Sequence, residues 1–294
     1  MSRARLGGPV GAAGLVVAGL ACQEVGAAFA VLLFPSVGAL GMVALRLTFS
    51  ALILLAIARP SVRGRSRGDW MTVVLFGVAL AVMNGLFYEA LARIPLGAAV
   101  TIEVLGPLIL SVATSRRASS WLWAALAFVG VFLLGQGSFG ELDPVGVLFA
   151  AGAGASWAGY ILLSSRTGSR FARLDGLALA MAIGAVLTLP LGLAAAGSVI
   201  VRPDILLLGA AVALLSSTIP YALELFALRR IPSSTFAILM SLAPAIAALA
   251  GVVLLAQHIS IVGVIAIALV VTASIGAVRS ARPGATPVAR ADVV

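Results

Sequence analysis

Long apolar segments follow one another along almost the whole of this 294-residue chain. A transmembrane helix needs roughly 20 consecutive apolar residues, and segments of this kind are typical of membrane spans. Hydrophobic residues make up 62% of the chain and charged residues 10%, against roughly 45–50% and 25% in soluble domains. One soluble core cannot bury so much apolar surface, which excludes a soluble enzyme. The sequence therefore predicts an all-α integral membrane protein.

We interpret ten of these segments as transmembrane helices. Their predicted bounds are 10–34, 38–58, 70–90, 96–115, 121–138, 145–163, 177–197, 205–226, 233–255 and 260–278. Prolines mark three of the short connections, at Phe34-Pro35-Ser36, Arg93-Ile94-Pro95 and Asp143-Pro144. Proline suits a helix end because it lacks the backbone N–H that a helix interior needs.

The basic residues indicate how the spans are oriented. All 19 are arginine, against 10 acidic residues. Sixteen lie in the two tails or in alternate connections, whereas Arg93 and Arg202 lie in the opposite connections and Arg46 lies within a span. Because cytoplasmic connections are rich in Lys and Arg, both termini are predicted to be cytoplasmic. The all-arginine, alanine-rich composition suggests a GC-rich bacterial genome, so the predicted location is a bacterial inner membrane. Charges spread between apolar segments argue against a nucleic-acid partner.

A short internal repeat divides the chain into two halves. With a shift of 137 residues, residues 90–95 (ALARIP) match residues 227–232 (ALRRIP) at five of six positions. The repeat unit is then five helices, and this odd number inserts the two halves with opposite orientation. We predict one five-helix repeat over residues 1–138, a second, inverted repeat over 139–278 and a disordered cytoplasmic tail over 279–294. Inverted repeats are typical of transporters that alternate access around a central site.

Pro107 and Pro244 occupy matched positions in this repeat. Each would free a backbone carbonyl and bend its helix. The two bends could act as gates, or they could be static packing kinks.

Three charged residues lie deep inside predicted spans. Glu24, Arg46 and Glu103 are each about eight to ten residues from the outer end of a span, which places them near the bilayer midplane. A charge there costs about 3 kcal/mol or more, so each needs a function or a partner. Glu24 and Arg46 belong to one predicted hairpin and could form a structural ion pair. Glu103 could exchange protons or bind an amine, or it could hydrogen bond to Asn84 or Thr101.

Other polar and aromatic side chains within the spans are candidates for a substrate cavity. They are Gln23, Asn84, Tyr88, Ser156, Trp157, Tyr160, Ser216, Ser217, Thr218, Tyr221 and Ser241. Singly, such residues more often connect helices than contact a ligand. Together they could line a cavity for a small zwitterion. The spans contain no phosphate-binding loop, metal-ligand set or nucleophile constellation, so we expect no cofactor and no enzymatic activity.

Four stretches resemble the drug/metabolite transporter superfamily in its EamA-type branch of two five-helix repeats. They are residues 23–46 (QEVGAAFAVLLFPSVGALGMVALR), 87–107 (FYEALARIPLGAAVTIEVLGP), 156–164 (SWAGYILLS) and 216–232 (SSTIPYALELFALRRIP). Within that branch, the chain is similar to the threonine/homoserine exporter group. The resemblance implies ten helices, a central cavity between the halves, and export of small metabolites by proton antiport.

The resemblance also implies that Glu103 lies in the cavity. Family-like motifs contain Gln23, Glu24, Arg46, Tyr88, Trp157, Ser216, Tyr221 and Glu224. The chain departs from the family at Ala243-Pro244, where relatives often have Glu-Pro, and at Ala256-Gln257, where they often have Gly-Glu. The second half has therefore lost acidic groups, which leaves Glu103 and Glu24 as the deep carboxylates.

The favoured hypothesis is a secondary active exporter of small amino acids such as threonine and homoserine, with protons and the lipid bilayer as its other partners. An exporter of drugs or other metabolites is the alternative within transport, and a large aromatic cavity would favour it. A non-transporting membrane scaffold is the main rival class, and a membrane enzyme is the third.

Overall fold

The computed structural model describes residues 9–114, 118–134, 142–171, 174–220, 223, 227 and 239–280. Within these ranges the chain is helical and contains no β-strand. The helices, numbered in chain order, are α1 Pro9–Ala58, α2 Arg67–Leu91, α3 Leu96–Glu103, α4 Leu105–Thr114, α5 Ala118–Leu134, α6 Pro144–Gly168, α7 Asp175–Ala196, α8 Pro203–Ala213, α9 Ala243–Leu255 and α10 Ile261–Ser280. A 3₁₀ turn at Gly197–Val201 joins α7 to α8, and a π-helical turn at Leu214–Thr218 follows α8.

Five helical stretches are long and apolar enough to cross a membrane. They are Gly11–Ala58, Arg67–Leu91, Pro144–Gly168, Asp175–Val201 and Ile261–Arg279. Shorter apolar helices cover Leu96–Leu110, Trp121–Leu133, Pro203–Thr218 and Ala243–Leu255. Many large apolar side chains are exposed, among them Phe128, Val186 and Leu207, and extensive apolar surface is typical of contact with a membrane. The all-helical prediction is confirmed for the described residues, whereas the count of ten spans stays a prediction.

The 50-residue helix α1 is a hairpin of two helices that reverses at Gly38. Gly26 and Arg46 both contact Ser216, although 20 residues of straight helix would hold them about 30 Å apart. Gly38 has φ 69° and ψ 171°, outside the helical region. The predicted break at Phe34-Pro35-Ser36 was therefore wrong by a few residues: Pro35 is helical, and the chain turns where glycine permits a positive φ.

Replacing Gly38 with alanine is expected to destabilise this hairpin. Such a backbone conformation costs residues other than glycine roughly 1–3 kcal/mol. Because the space around Gly38 is open, an added methyl group would meet no neighbour, and the loss of stability would come from backbone strain alone. Thermal unfolding of the purified protein in detergent measures the change. Gly14→Ala is the matched control, because Gly14 lies in the same element with open space and an ordinary φ. Equal unfolding temperatures of the two variants would contradict the expectation.

Two other predicted connections are confirmed. Between α2 and α3 the chain leaves the helix after Leu91 and re-enters it at Leu96, around the predicted Arg93-Ile94-Pro95. Helix α6 begins at Pro144, and the side chain of Asp143 accepts a hydrogen bond from the backbone N–H of Val145 at 2.9 Å. Such a cap satisfies an N–H group that has no partner within the first helical turn.

The helix that contains Pro107 is interrupted. Helix α3 ends at Glu103, Val104 forms a turn, and α4 begins at Leu105. Proline has no backbone N–H, so the Glu103 carbonyl loses the helical hydrogen bond it would otherwise accept.

A second interruption lies at the matched position near Pro244. Ser241 and Leu242 form a turn, and α9 begins at Ala243 with Pro244 in its first turn. The 137-residue shift places Val104 on Ser241, so the two breaks correspond. The division into repeats over 1–138 and 139–278 and their inversion stay predictions. Of the predicted tail, Arg279 and Ser280 belong to α10, and residues 281–294 lie outside the described residues.

Small residues bring α1 and α7 close together. Gly192 of α7 packs against Ala44, and Gly41 packs against Ala196. Small residues are typical of helix contacts in membranes because they let two backbones approach closely. This packing holds the second arm of the α1 hairpin, which carries Arg46.

Candidate functional site

A cavity of about 470 Å³ lies between helices α1, α2, α3, α4, α6, α9 and α10. Its polar lining residues are Gln23, Glu24, Arg46, Asn84, Glu103, Ser241 and Ser274, and its aromatic lining residues are Phe87, Trp157 and Tyr160. The rest of the lining is mainly aliphatic. An apolar pocket of this size with a few convergent polar groups is typical of a small-molecule site.

Most of the residues predicted from the sequence meet at this cavity. Those that line it are Gln23, Glu24, Arg46, Asn84, Glu103, Pro107, Trp157, Tyr160 and Ser241. Tyr88 and Ser216 are not in the lining and instead hydrogen bond to Arg46. Pro244 is not in the lining either, although its neighbour Ala243 is. The predicted Tyr221 lies outside the described residues, as does Glu224.

Three hydrogen bonds hold the guanidinium group of Arg46. Its Nε donates to Oγ of Ser217 at 3.3 Å, Nη1 donates to the Tyr88 hydroxyl at 3.1 Å, and Nη2 donates to the Ser216 carbonyl at 3.1 Å. The guanidinium carbon also lies 5.4 Å from the centre of the Tyr88 ring. Arg46 is 9% exposed, and hydrogen bonds of this kind offset part of the large cost of burying a cation.

The acceptors for Arg46 come from separate parts of the chain. Tyr88 belongs to α2 and is fully buried, whereas Ser216 and Ser217 belong to the π-helical turn after α8. Such π-helical turns occur frequently at functional sites. The close approach of this turn to α1 depends on Gly26, where a methyl group would lie 2.5 Å from the Ser216 hydroxyl oxygen.

The two deep carboxyl groups share the cavity with Arg46. Glu24 is 2% exposed, and its Oε2 atom has no hydrogen-bond partner among the described residues. The charge of Arg46 interacts favourably with both Glu24 and Glu103, and the two carboxylates repel each other. The sequence showed no partner for Glu103 within its own hairpin. In the folded protein, Glu103 lies close enough to Arg46 to interact with its charge. Charges in such a poorly solvated cavity interact strongly.

Glu103 is positioned by a tight contact between the α3–α4 break and α6. A methyl group at Gly154 would lie 2.5 Å from the Glu103 carbonyl oxygen, and Gly106 packs against the Gly154 backbone. The Thr101 hydroxyl donates to the Gly97 carbonyl. Since a hydroxyl group has one hydrogen to donate, Thr101 does not donate to Glu103.

The lining also contains residues that were not predicted from the sequence, among them Met83, Phe87, Met240 and Ser274. Met83 and Phe87 are four residues apart in α2 and flank Asn84, so helical spacing around Asn84 could have identified them. Met240 occupies the position that the 137-residue shift assigns to Glu103. Ser274 stands among small apolar residues, and no pattern marks it.

At the far end of α3, a side chain joins α3 to α9. The backbone N–H of Leu96 donates to Oε1 of Gln257 at 3.1 Å, which satisfies one N–H of the first turn of α3. A methyl group at Gly97 would lie 2.8 Å from Cα of Ala248, so the two helices are in close contact. Gln257, one of the two departures from the family pattern, is therefore a structural contact.

Comparisons with known proteins agree with this architecture. The EamA-like transporter family model matches residues 144–279. The chain is 39% identical over 259 residues to the threonine/homoserine exporter RhtA of Salmonella typhimurium strain SL1344, which covers 87% of this chain and 88% of the relative. It is 37% identical over 270 residues to RhtA of Escherichia coli K12, with 91% of each chain covered.

A solved crystal structure shares the fold. It has a TM-score of 0.60 and 22% sequence identity, and the match covers 91% of this chain and 97% of that chain. The relatives in the family comparisons are transporters, which confirms the prediction of a transporter rather than an enzyme. With its several membrane-spanning helices, the chain belongs to the EamA-like transporter family and is a multi-pass membrane protein related to the bacterial RhtA exporters.

Proposed function

We propose that this protein is a secondary active transporter that exports small amino acids, with threonine and homoserine as the favoured substrates, by alternating access coupled to proton antiport. The observation that carries the proposal is the cavity that contains Arg46 together with Glu24 and Glu103. A zwitterionic amino acid has a carboxylate and an ammonium group, and a cavity with both signs of charge complements it. The RhtA relatives are threonine/homoserine exporters, which supports the same substrates.

Alternating access is supported by the position of the cavity. Its lining comes from residues 23–108 and residues 157–278, so movement of one part against the other would change access to it. The matched breaks at Val104 and Ser241 are the natural places for such bending, which is the gating role we propose for Pro107 and Pro244.

The structure fits the state that takes up substrate from the cytoplasm. The arginine distribution supports cytoplasmic termini in a bacterial inner membrane, and α6 and α10 would then both end at the cytoplasmic side. The cavity extends along them to Ile161 and Val278. At the opposite side, the contact between α3 and α9 at Leu96 and Gln257 closes the path.

Proton coupling is assigned to Glu103, with Glu24 as the second deep carboxyl group. The positions at which relatives often carry acids are occupied here by Ala243 and Gln257. Neither side chain can release a proton, so a coupled transporter with this sequence must use the carboxyl groups in the cavity.

The alternative function is the export of drugs or other metabolites. Phe87, Trp157 and Tyr160 line the cavity and favour this candidate, because aromatic surface binds lipophilic compounds. The three ionisable groups that line the cavity, Glu24, Arg46 and Glu103, favour the amino-acid candidate. A non-transporting scaffold has no evident use for either feature.

The test is transport by purified protein in liposomes. With an acidic interior, a proton antiporter should accumulate labelled threonine and homoserine inside the vesicles, and collapse of the pH gradient by an ionophore should stop it. Transport indifferent to pH would overturn proton coupling, and transport of lipophilic cations alone would favour drug export.

A separate labelling experiment tests the proposed orientation in protein whose Cys22 is replaced by serine. A cysteine introduced at Ser61 should react with a thiol reagent added on the cytoplasmic side. A cysteine introduced at His258 should react with the reagent added on the outer side.

A further inference from the structure

Arg46 is the one cation among the described residues that line the cavity. An arginine within a membrane is costly, and it persists where it serves a function or has partners. Packing alone does not require it, since a buried ion pair can often be replaced by apolar residues of similar volume without loss of stability. The charge therefore calls for a functional explanation beyond the fold.

The hydrogen bonds of Arg46 set the direction of its guanidinium group. Ser217, Tyr88 and the Ser216 carbonyl accept from its three nitrogen atoms, and Arg46 is among the residues that line the cavity. A planar guanidinium group held in this way presents a geometry that matches a carboxylate. Lysine at this position would retain the charge but would lose the planar arrangement of donors.

Glu24 supplies a complementary group in the same cavity. Its Oε2 atom is buried and has no hydrogen-bond partner among the described residues, while Glu24 itself lines the cavity. A buried carboxylate oxygen without a partner is costly, and an ammonium group of a bound molecule would satisfy it. The cavity thus has a place for each end of a zwitterion.

We propose that Arg46 binds the carboxylate group of the substrate and sets the selectivity for free amino acids, with Tyr88 and Ser217 as positioning residues and Glu24 as the acceptor for the substrate ammonium group. This inference rests on the proposed function, since it concerns how the same cavity recognises an amino acid. It divides the polar groups into those that bind substrate (Arg46 and Glu24) and those that orient Arg46.

The test compares substrates with and without a carboxylate. Exchange of labelled threonine by wild-type protein in liposomes, without a pH gradient, is measured against competing threonine, threonine methyl ester and threoninol. Both carboxylate-free compounds keep the ammonium and hydroxyl groups. We expect them to compete at least roughly tenfold less well than threonine, as is typical when a charge-assisted hydrogen bond is lost.

Ser217→Ala removes one positioning contact with little change in volume. We expect the KM for threonine to rise roughly fivefold at a nearly unchanged maximal rate, since such a hydrogen bond is worth about 1 kcal/mol. The preference for threonine over its methyl ester should narrow as well. Tyr88→Phe should act in the same direction, and Arg46→Lys should remove most of the preference. Ser50→Ala is the matched control, because Ser50 lies in α1 as Arg46 does, is buried outside the cavity lining, and has a hydroxyl without a partner among the described residues.

The outcomes separate the inference from the function on which it rests. Equal competition by threonine and threoninol in wild-type protein would overturn the role of Arg46 while leaving amino-acid transport intact. Identical KM values and preferences for Ser217→Ala and Ser50→Ala would overturn the positioning role of Ser217. If folded wild-type protein moves neither threonine nor homoserine, the proposed function itself fails, and this inference fails with it.

Discussion

Replacing Glu103 with glutamine is expected to abolish accumulation of amino acids driven by a pH gradient. The amide keeps the shape of the side chain but cannot release a proton, so the coupling step is lost. One unit of pH difference corresponds to about 1.4 kcal/mol and can support about tenfold accumulation for each exchanged proton. In the variant, the internal concentration should fall to the external level. Exchange of labelled for unlabelled substrate without a gradient should continue, because Arg46 and Glu24 are unchanged.

The control for this variant is Glu89→Gln. Glu89 lies near the end of α2 and pairs with Arg93, and its side chain is 22% exposed, so it is a partly exposed glutamate outside the cavity. We expect Glu89→Gln to retain gradient-driven accumulation. Undiminished accumulation by Glu103→Gln would remove Glu103 from the coupling mechanism. Loss of gradient-driven accumulation in Glu24→Gln alone, with exchange retained, would assign that role to Glu24.

Gly154→Ala is expected to impair both folding and transport. The new methyl group would meet the Glu103 carbonyl oxygen at 2.5 Å, so α6 must move away from the α3–α4 break. Overpacking of this kind costs typically 1–3 kcal/mol. The movement would also displace the Glu103 side chain within the cavity. Thermal unfolding in detergent and threonine exchange in liposomes measure the two effects.

Gly159→Ala separates this clash from the general effect of replacing a glycine in a helix. Gly159 lies in the same helix α6, and a methyl group there meets open space. Alanine favours a helix by roughly 0.5–1 kcal/mol over glycine, so this control should be as stable as wild type or slightly more stable. Equal stability and exchange rates in the two variants would show that the contact between Gly154 and Glu103 has no role in positioning the site.

The loss of transport in Gly154→Ala should be larger than its loss of stability alone explains. The helix break at Val104 leaves the Glu103 carbonyl without its usual intrahelical partner, and the neighbouring backbone of α6 covers it. The site thus depends on a backbone contact between two helices that are about fifty residues apart in sequence. Measurements below the unfolding temperature of each variant keep the two effects apart.

The sequence by itself determined the class of the protein and named the charged residues that line the cavity in the structure. Apolar segments of membrane length exclude a soluble fold, because water cannot solvate that much apolar surface. Charges inside such segments are costly enough to be informative singly, so Glu24, Arg46 and Glu103 were identifiable without a structure. Proline at Pro95 and Pro144 likewise marked helix ends through local chemistry alone.

Other features depended on residues distant in sequence. The chain turns at Gly38 rather than at Pro35 because the two arms of α1 pack against the turn at Ser216. The local sequence does not show that this helix accommodates Pro35 in its interior.

Tertiary structure alone decided which polar groups touch the cavity and which support them. Tyr88 and Ser216 were predicted as direct contacts, but the fold turns both toward Arg46. Met83, Phe87 and Ser274 reach the cavity because helices from separate parts of the chain surround it. Burial and hydrogen bonding depend on several segments that are distant in sequence. The local sequence can therefore identify a candidate residue, but only the packing of neighbouring helices determines the role of that residue.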